Sequence, residues 1–275
     1  MEFDDNLIYA FILTTLAGLS TGIGGLAAFS KHARKSKYLA FGLGLAAGAM
    51  IYISFVELIF GALETFKGNY EEESEAYLRV TLYFIGGLVI IGFLGVIISW
   101  IADRFNISKE NLAEIGTKKL DSDKSKSLYK TGIITAFALA VHNLPEGLVT
   151  FLTTIQDINL GIGISIAIAI HNIPEGLAVA LPIYYATKSK KKALLITLAA
   201  GLSEPIGAGI AYFLFFENAD PEVFDVVNVF VASIMVYVAF FELLPQAYKT
   251  GHQSHSKWGL IAGFGIMGIS IALLA

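Results

Sequence analysis

Residues 140–147 read Ala140-Val141-His142-Asn143-Leu144-Pro145-Glu146-Gly147, and residues 169–176 read Ala169-Ile170-His171-Asn172-Ile173-Pro174-Glu175-Gly176. The two stretches are one motif written twice, each copy inside a long apolar run. On a helix, positions i and i+4 share a face, so His142 stands over Glu146 and His171 over Glu175, with each Asn one step round. Proline three residues after each His removes a backbone hydrogen bond, frees the carbonyls of Val141 and Ile170, and permits a kink. An isolated histidine or proline would be unremarkable. Repeated together with Asn and Glu, they describe an imidazole, an amide and a carboxylate aimed to one side of each of two helices.

The surrounding sequence sets the solvent. The chain has 275 residues, 55% of them hydrophobic and only 15% charged, and its mean hydropathy is +0.67. A soluble domain of this length is far more polar. A bilayer core needs about 20 apolar residues per helix, and eight stretches meet that need. They run over approximately 6–29, 38–63, 80–101, 130–154, 160–187, 192–216, 224–247 and 257–275, within a single membrane domain covering 1–275. The opening MEFDDNLIYA lacks the basic segment of a cleaved signal peptide, so the first stretch is expected to be retained as helix 1. Small residues four apart, as in Gly18/Gly22 and Gly44/Gly48, predict close helix packing.

Depth follows from the rise of about 1.5 Å per residue. His142 and His171 each lie roughly 16–18 Å from the outer end of their helix, near the bilayer midplane. The short connection between helices 4 and 5 makes them antiparallel neighbours, so the motifs can face each other and pool their ligands. An ionisable group at this depth costs about 2.5–3.5 kcal/mol on insertion scales. A divalent cation compensates four of them at once. With no cysteine in the chain, thiolate sites and disulfides are excluded. His, Asn and carboxylate suit zinc, iron(II), manganese or cobalt better than copper(I).

Other polar residues extend the pattern. Glu204, in Ser203-Glu204-Pro205 on helix 6, lies near the midplane and is a further carboxylate ligand; Met50 on helix 2 offers a thioether at similar depth. Glu57, in Ser54-Phe55-Val56-Glu57-Leu58, and Glu242, in Ala239-Phe240-Phe241-Glu242-Leu243-Leu244-Pro245, look like a second repeat. Helix 2 runs outward and helix 7 inward, so inverted repeats would place one carboxylate at each mouth of a pathway. His32, His252 and His255 read as solvated loop histidines.

Charge sets the orientation. All but Lys67 and Arg79 of the 19 basic residues fall in the loops 1–2, 3–4, 5–6 and 7–8 or at their edges, which places those loops in the cytoplasm and both termini outside. The outer loops carry Glu71, Glu72, Glu73 and Glu75, then Glu217, Asp220, Glu222 and Asp225. Loop 3–4, residues 102–129, is long and polar and is expected to be mobile. A formal charge of -4 gives no sign of a nucleic-acid partner.

These residues resemble the ZIP (zinc-iron permease) family, in particular its bacterial ZupT-type members, over essentially the whole chain. The resemblance implies an all-α polytopic membrane protein of a bacterial or archaeal plasma membrane, with eight transmembrane helices in a 3+2+3 arrangement with inverted repeats. It implies import of metal into the cytoplasm through a two-metal site formed mainly by helices 4 and 5. Matched motif by motif, one metal is held by His142, Glu146, His171 and Glu175 with Met50. The second is held by Asn143, Asn172 and Glu204, with Glu146 and Glu175 as bridges. Some members are homodimers, so a second copy joins metal ions and lipid among the expected partners. The histidine-rich loop 3–4 of many relatives is missing here, as residues 102–129 contain no His.

Three classes of function accommodate these ligands. A carrier for zinc, iron(II), manganese, cobalt or cadmium needs the metal only as substrate and no catalytic cofactor. An intramembrane zinc hydrolase needs an open ligand position and a base, but H-E-x-x-H is lacking and the ligands form a near-symmetric repeat. A passive channel could use the same ligands, because multisite binding also permits conduction.

Overall fold

A computed structural model describes residues 2–30, 35–104, 122–215 and 221–274, which form helices and turns with no strand among them. The helices are α1 (Glu2–Ala27), α2 (Ser36–Tyr52), α3 (Phe60–Asn69), α4 (Glu73–Arg104), α5 (Ser122–Gln156), α6 (Ile158–Thr187), α7 (Lys190–Gly201), α8 (Ser203–Phe215), α9 (Pro221–Tyr237), α10 (Leu244–Lys249) and α11 (Gln253–Leu274). Two π-helical segments, Ile53–Ile59 and Val238–Leu243, join α2 to α3 and α9 to α10. Among the described residues, seven helical spans are long and apolar enough to cross a membrane, and each overlaps one of the first seven expected stretches. The 22-residue helix α11 occupies the eighth.

Several boundaries and connections differ from expectation. Helix α5 begins at Ser122, well before residue 130; a helix that extends past the membrane keeps its backbone groups bonded to one another. The core of loop 3–4, residues 105–121, lies outside the described residues, as do His32, Glu217 and Asp220. The sixth stretch is two helices, because Leu202, at ψ -6, ends α7 one residue before α8 begins. Neither motif proline ends its helix: α5 and α6 run unbroken through Pro145 and Pro174.

The connection between α5 and α6 is a single residue. Asp157 caps α6, its side chain accepting from the backbone N–H groups of Asn159 and Leu160, and this forces the antiparallel arrangement the motifs require. Helix α6 is central, with 72% of an apolar 18-residue stretch of it buried, whereas the like stretch of α4 is peripheral at 17%. On α4, Leu78, Leu82, Ile85, Val89, Phe93, Val96 and Trp100 are exposed. Apolar outside and polar within is the arrangement that lipid demands.

Backbone contact between helices follows the glycines. A methyl group added at Gly44 would fall 2.1 Å from the Ser256 carbonyl oxygen, and one at Gly259 would fall 2.1 Å from that of Phe41, so α2 and α11 are locked reciprocally. Gly18 meets the Gly201 carbonyl and Gly201 that of Gly18 in the same fashion, joining α1 to α7. The small-xxx-small spacing therefore serves packing, as expected. Alanine at Gly48, where a Cβ would lie 2.2 Å from the Leu260 carbonyl, is expected to destabilise the protein by about 1–3 kcal/mol through overpacking. Alanine at Gly209, which has no neighbour within 4 Å, should be neutral or slightly stabilising. Thermal unfolding of the two purified variants in detergent checks the contrast.

Candidate metal centre

Both histidines of the motif lie near the middle of the spans Gly132–Gln156 and Ile158–Thr187, and all six polar motif side chains are buried. Pairing runs across helices. His142 Nε2 stands 3.3 Å from Glu175 Oε2, and His171 Nε2 stands 3.4 Å from Glu146 Oε1. The same-helix i/i+4 alignment thus orients each His and Glu, while the partner comes from the other copy of the motif. Among the described residues, no group of three or more His, Asp or Glu side chains is arranged to hold a metal ion; the four are drawn up in twos.

Glu204 joins them from α8. It is fully buried, and its Oε1 accepts a hydrogen bond from Asn172 Nδ2, which also donates to the Ala17 carbonyl of α1 at 3.0 Å. The terminal glycine of each motif lets the walls close in. A Cβ at Gly147 would fall 2.0 Å from the Glu204 carbonyl oxygen, and one at Gly176 would fall 1.9 Å from that of Thr21. Any other residue at these positions would push α8 off α5 or α1 off α6.

Many polar atoms in this cluster have no hydrogen-bond partner within the protein. They are both oxygens of Glu146, Oε1 of Glu175, Oε2 of Glu204, both side-chain ends of Asn143, Oδ1 of Asn172 and both ring nitrogens of His171. An unpaired buried polar atom costs about 1–3 kcal/mol, and more when charged. Carboxylate, amide and imidazole are the group types that a borderline or hard divalent cation takes as ligands.

The remaining candidates are distributed along the bundle. Met50 is fully buried within the main apolar core, and its carbonyl accepts from Ser54 Oγ at 2.7 Å. Glu57 and Glu242 sit in the two π-helical segments, one in each. Such segments re-aim side chains and recur at functional positions. Ser54 Oγ bonds the Met50 carbonyl at the start of the first, but its counterpart Ala239 has no hydroxyl, so this bond does not account for both. Glu57 is half-buried and Glu242 exposed.

At the end of the bundle read as outer, part of the acidic set is already engaged. Glu75 is bound by Arg79 at 2.8 Å, and the Tyr70 hydroxyl donates to Glu222 beneath the Arg79 guanidinium. That bond holds the Tyr70 hydroxyl above the ordinary phenol range. His252 lies against Ser36, 2.9 Å away, with His255 beside it.

Helix α1 was not expected as a wall of the cluster. A signal for it exists in the chain: Ala17-Gly18-Leu19-Ser20-Thr21-Gly22-Ile23-Gly24 repeats as Ala200-Gly201-Leu202-Ser203-Glu204-Pro205-Ile206-Gly207. This match carries one carboxylate and no histidine, so a search for ligand residues passes over its first copy.

Comparison with known proteins adds an independent line. Residues 102–271 match the model of the ZIP Zinc transporter family. The chain is 41% identical over 278 residues to the zinc transporter ZupT of Oceanobacillus iheyensis, covering 98% of this chain and 100% of that one. It is 44% identical to the zinc transporter ZupT of Streptococcus mutans, covering 98% of each, and 42% identical to that of Corynebacterium aurimucosum, covering 97% of each.

Leucine at Asn172 removes the donor to both Glu204 and the Ala17 carbonyl. Asn172→Leu is expected to lower stability in metal-free buffer by about 1–3 kcal/mol, read as a fall in the thermal midpoint of the purified protein.

Proposed function

The chain belongs to the ZIP family of zinc transporters, and from that premise we propose that it imports divalent transition metal, zinc foremost, into the cytoplasm through the cross-paired cluster of α5 and α6. The observation that carries this reading is the burial, near mid-span, of two His–Glu pairs contributed crosswise by two copies of one motif. A carrier needs no chemistry on the metal. The ion exchanges its water for protein ligands, and the bundle then rearranges to release it on the other side.

Two ion positions account for the ligands. His142, Glu146, His171 and Glu175, with Met50, hold one; Asn143, Asn172 and Glu204 hold the second, and Glu146 and Glu175 bridge the two. The three buried carboxylates fall between the charge of one divalent ion and that of two, so either occupancy leaves a small net charge in a low-dielectric interior. Iron(II), manganese, cobalt and cadmium suit the same donors. Glu57 and Glu242 stand at the outer and inner mouths, with both termini outside.

Eight membrane helices in a 3+2+3 arrangement with inverted repeats are supported by internal correspondence. Met50-Ile51-Tyr52-Ile53-Ser54-Phe55-Val56-Glu57-Leu58 parallels Met235-Val236-Tyr237-Val238-Ala239-Phe240-Phe241-Glu242-Leu243, and a π-helical segment starts at equivalent positions, Ile53 and Val238. Family membership and this symmetry both favour transport over hydrolysis, which would call for an unpaired catalytic base.

Uptake of labelled zinc into proteoliposomes, with competing metals and imposed pH gradients, tests the proposal. Glu146→Ala combined with Glu175→Ala should lower uptake at least about 10-fold. Undiminished uptake would overturn the site assignment, and zinc binding without flux in the parent protein would overturn transport. Uptake that fails to saturate with zinc would favour a channel. Glu57→Gln and Glu242→Gln should slow flux while leaving equilibrium zinc affinity nearly unchanged.

A further inference from the structure

Around the site, the contacts of α1 are duplicated by those of α7 and α8. A Cβ at Gly24 would meet the Ile173 carbonyl at 1.9 Å, and one at Gly207 would meet the Leu144 carbonyl at 2.0 Å. Gly176 meets the Thr21 carbonyl as Gly147 meets that of Glu204. Ser20 Oγ donates to the Ala17 carbonyl and Ser203 Oγ to the Ala200 carbonyl, both at 2.6 Å. One exchange describes all of these contacts: the two motifs swap, and each residue of α1 goes to the residue 183 positions later in the octapeptide repeat. The bundle has a local two-fold axis at the site.

That axis carries Glu204 onto Thr21. Thr21 is fully buried, and its hydroxyl has no hydrogen-bond partner within the protein. It sits three residues beyond the crossing of Gly18 and Gly201, as Glu204 does past the interruption at Leu202, and it packs on Gly201 as Glu204 packs on Gly18. The amide that corresponds to Asn172 is Asn143, whose oxygen and nitrogen are also buried without partners. Two unpartnered neutral groups thus occupy the place where the other half of the site has an amide bonded to a carboxylate.

We propose that the Thr21 hydroxyl is a neutral oxygen ligand for the divalent ion, opposite Glu204 across the local two-fold axis, and completes the ion position formed by Asn143, Asn172 and Glu204. An ion near a two-fold axis takes its ligands in pairs. Asn143 pairs with Asn172, Glu146 with Glu175, and Thr21 with Glu204. The exchange of carboxylate for hydroxyl makes this position asymmetric in charge and weakens its hold, which a carrier needs in order to release its cargo. The inference rests on the motif cluster being the ion site.

Valine has the shape of threonine without the hydroxyl, so Thr21→Val isolates the oxygen; Thr21→Ala serves as a smaller replacement and Thr21→Ser retains the hydroxyl. The full chain, purified in detergent, is titrated with zinc against a chelator, and the zinc-induced rise in thermal midpoint is recorded. Thr21→Val and Thr21→Ala should weaken by about 3- to 10-fold the same binding step that Glu204→Gln abolishes or weakens, with Thr21→Ser close to the parent. Metal-free Thr21→Val should be at least as stable as the parent, since an unsatisfied polar atom has been removed. Parent-like zinc affinity and thermal shift in both Thr21→Val and Thr21→Ala would overturn the proposal. If Glu146→Ala with Glu175→Ala still binds zinc as the parent does, the reading of the cluster as the ion site fails instead.

Discussion

A carboxylate cannot be left alone in the middle of a bundle that is otherwise apolar. Three are buried near the centre of this one, with two imidazoles and two amides beside them. Their grouping organises the interior: each His takes its Glu from the other motif, and Asn172 ties Glu204 to the α1 backbone. Isolated, any of these groups would draw in water or surrender its charge. Grouped, they stand in cross-helix pairs and share the burden of burial.

Close grouping requires the helices that carry these side chains to touch backbone to backbone. Glycine supplies that proximity in reciprocal pairs, so each contact is made twice with the partners exchanged. The same symmetry reappears in the π-helical segments that hold Glu57 and Glu242. The chain departs from that symmetry at Thr21 and Glu204, where one copy has a hydroxyl and the other a carboxylate.

The motif copies and their antiparallel pairing were readable from residue order, because a short connection between two apolar stretches sets direction. The second repeat around Glu57 and Glu242 was visible too, though not its π-helical backbone: no side-chain bond common to both copies marks it, since Ser54 has only Ala239 as its counterpart. The interruption at Leu202 and the unbroken passage of α5 and α6 through their prolines were equally out of reach. Proline permits a kink, and packing decides whether one is taken.

By itself, the sequence determined a polytopic helical membrane protein with His, Asn and Glu placed at mid-depth on two neighbouring helices, because hydropathy, helical periodicity and a repeated hexapeptide are properties of residue order. Tertiary structure alone decided that His142 answers to Glu175 and His171 to Glu146, and that α1 forms a wall of the cluster. Those contacts join residues far apart in the chain, and no periodicity encodes which face of a helix meets which neighbour once glycine has let the backbones touch.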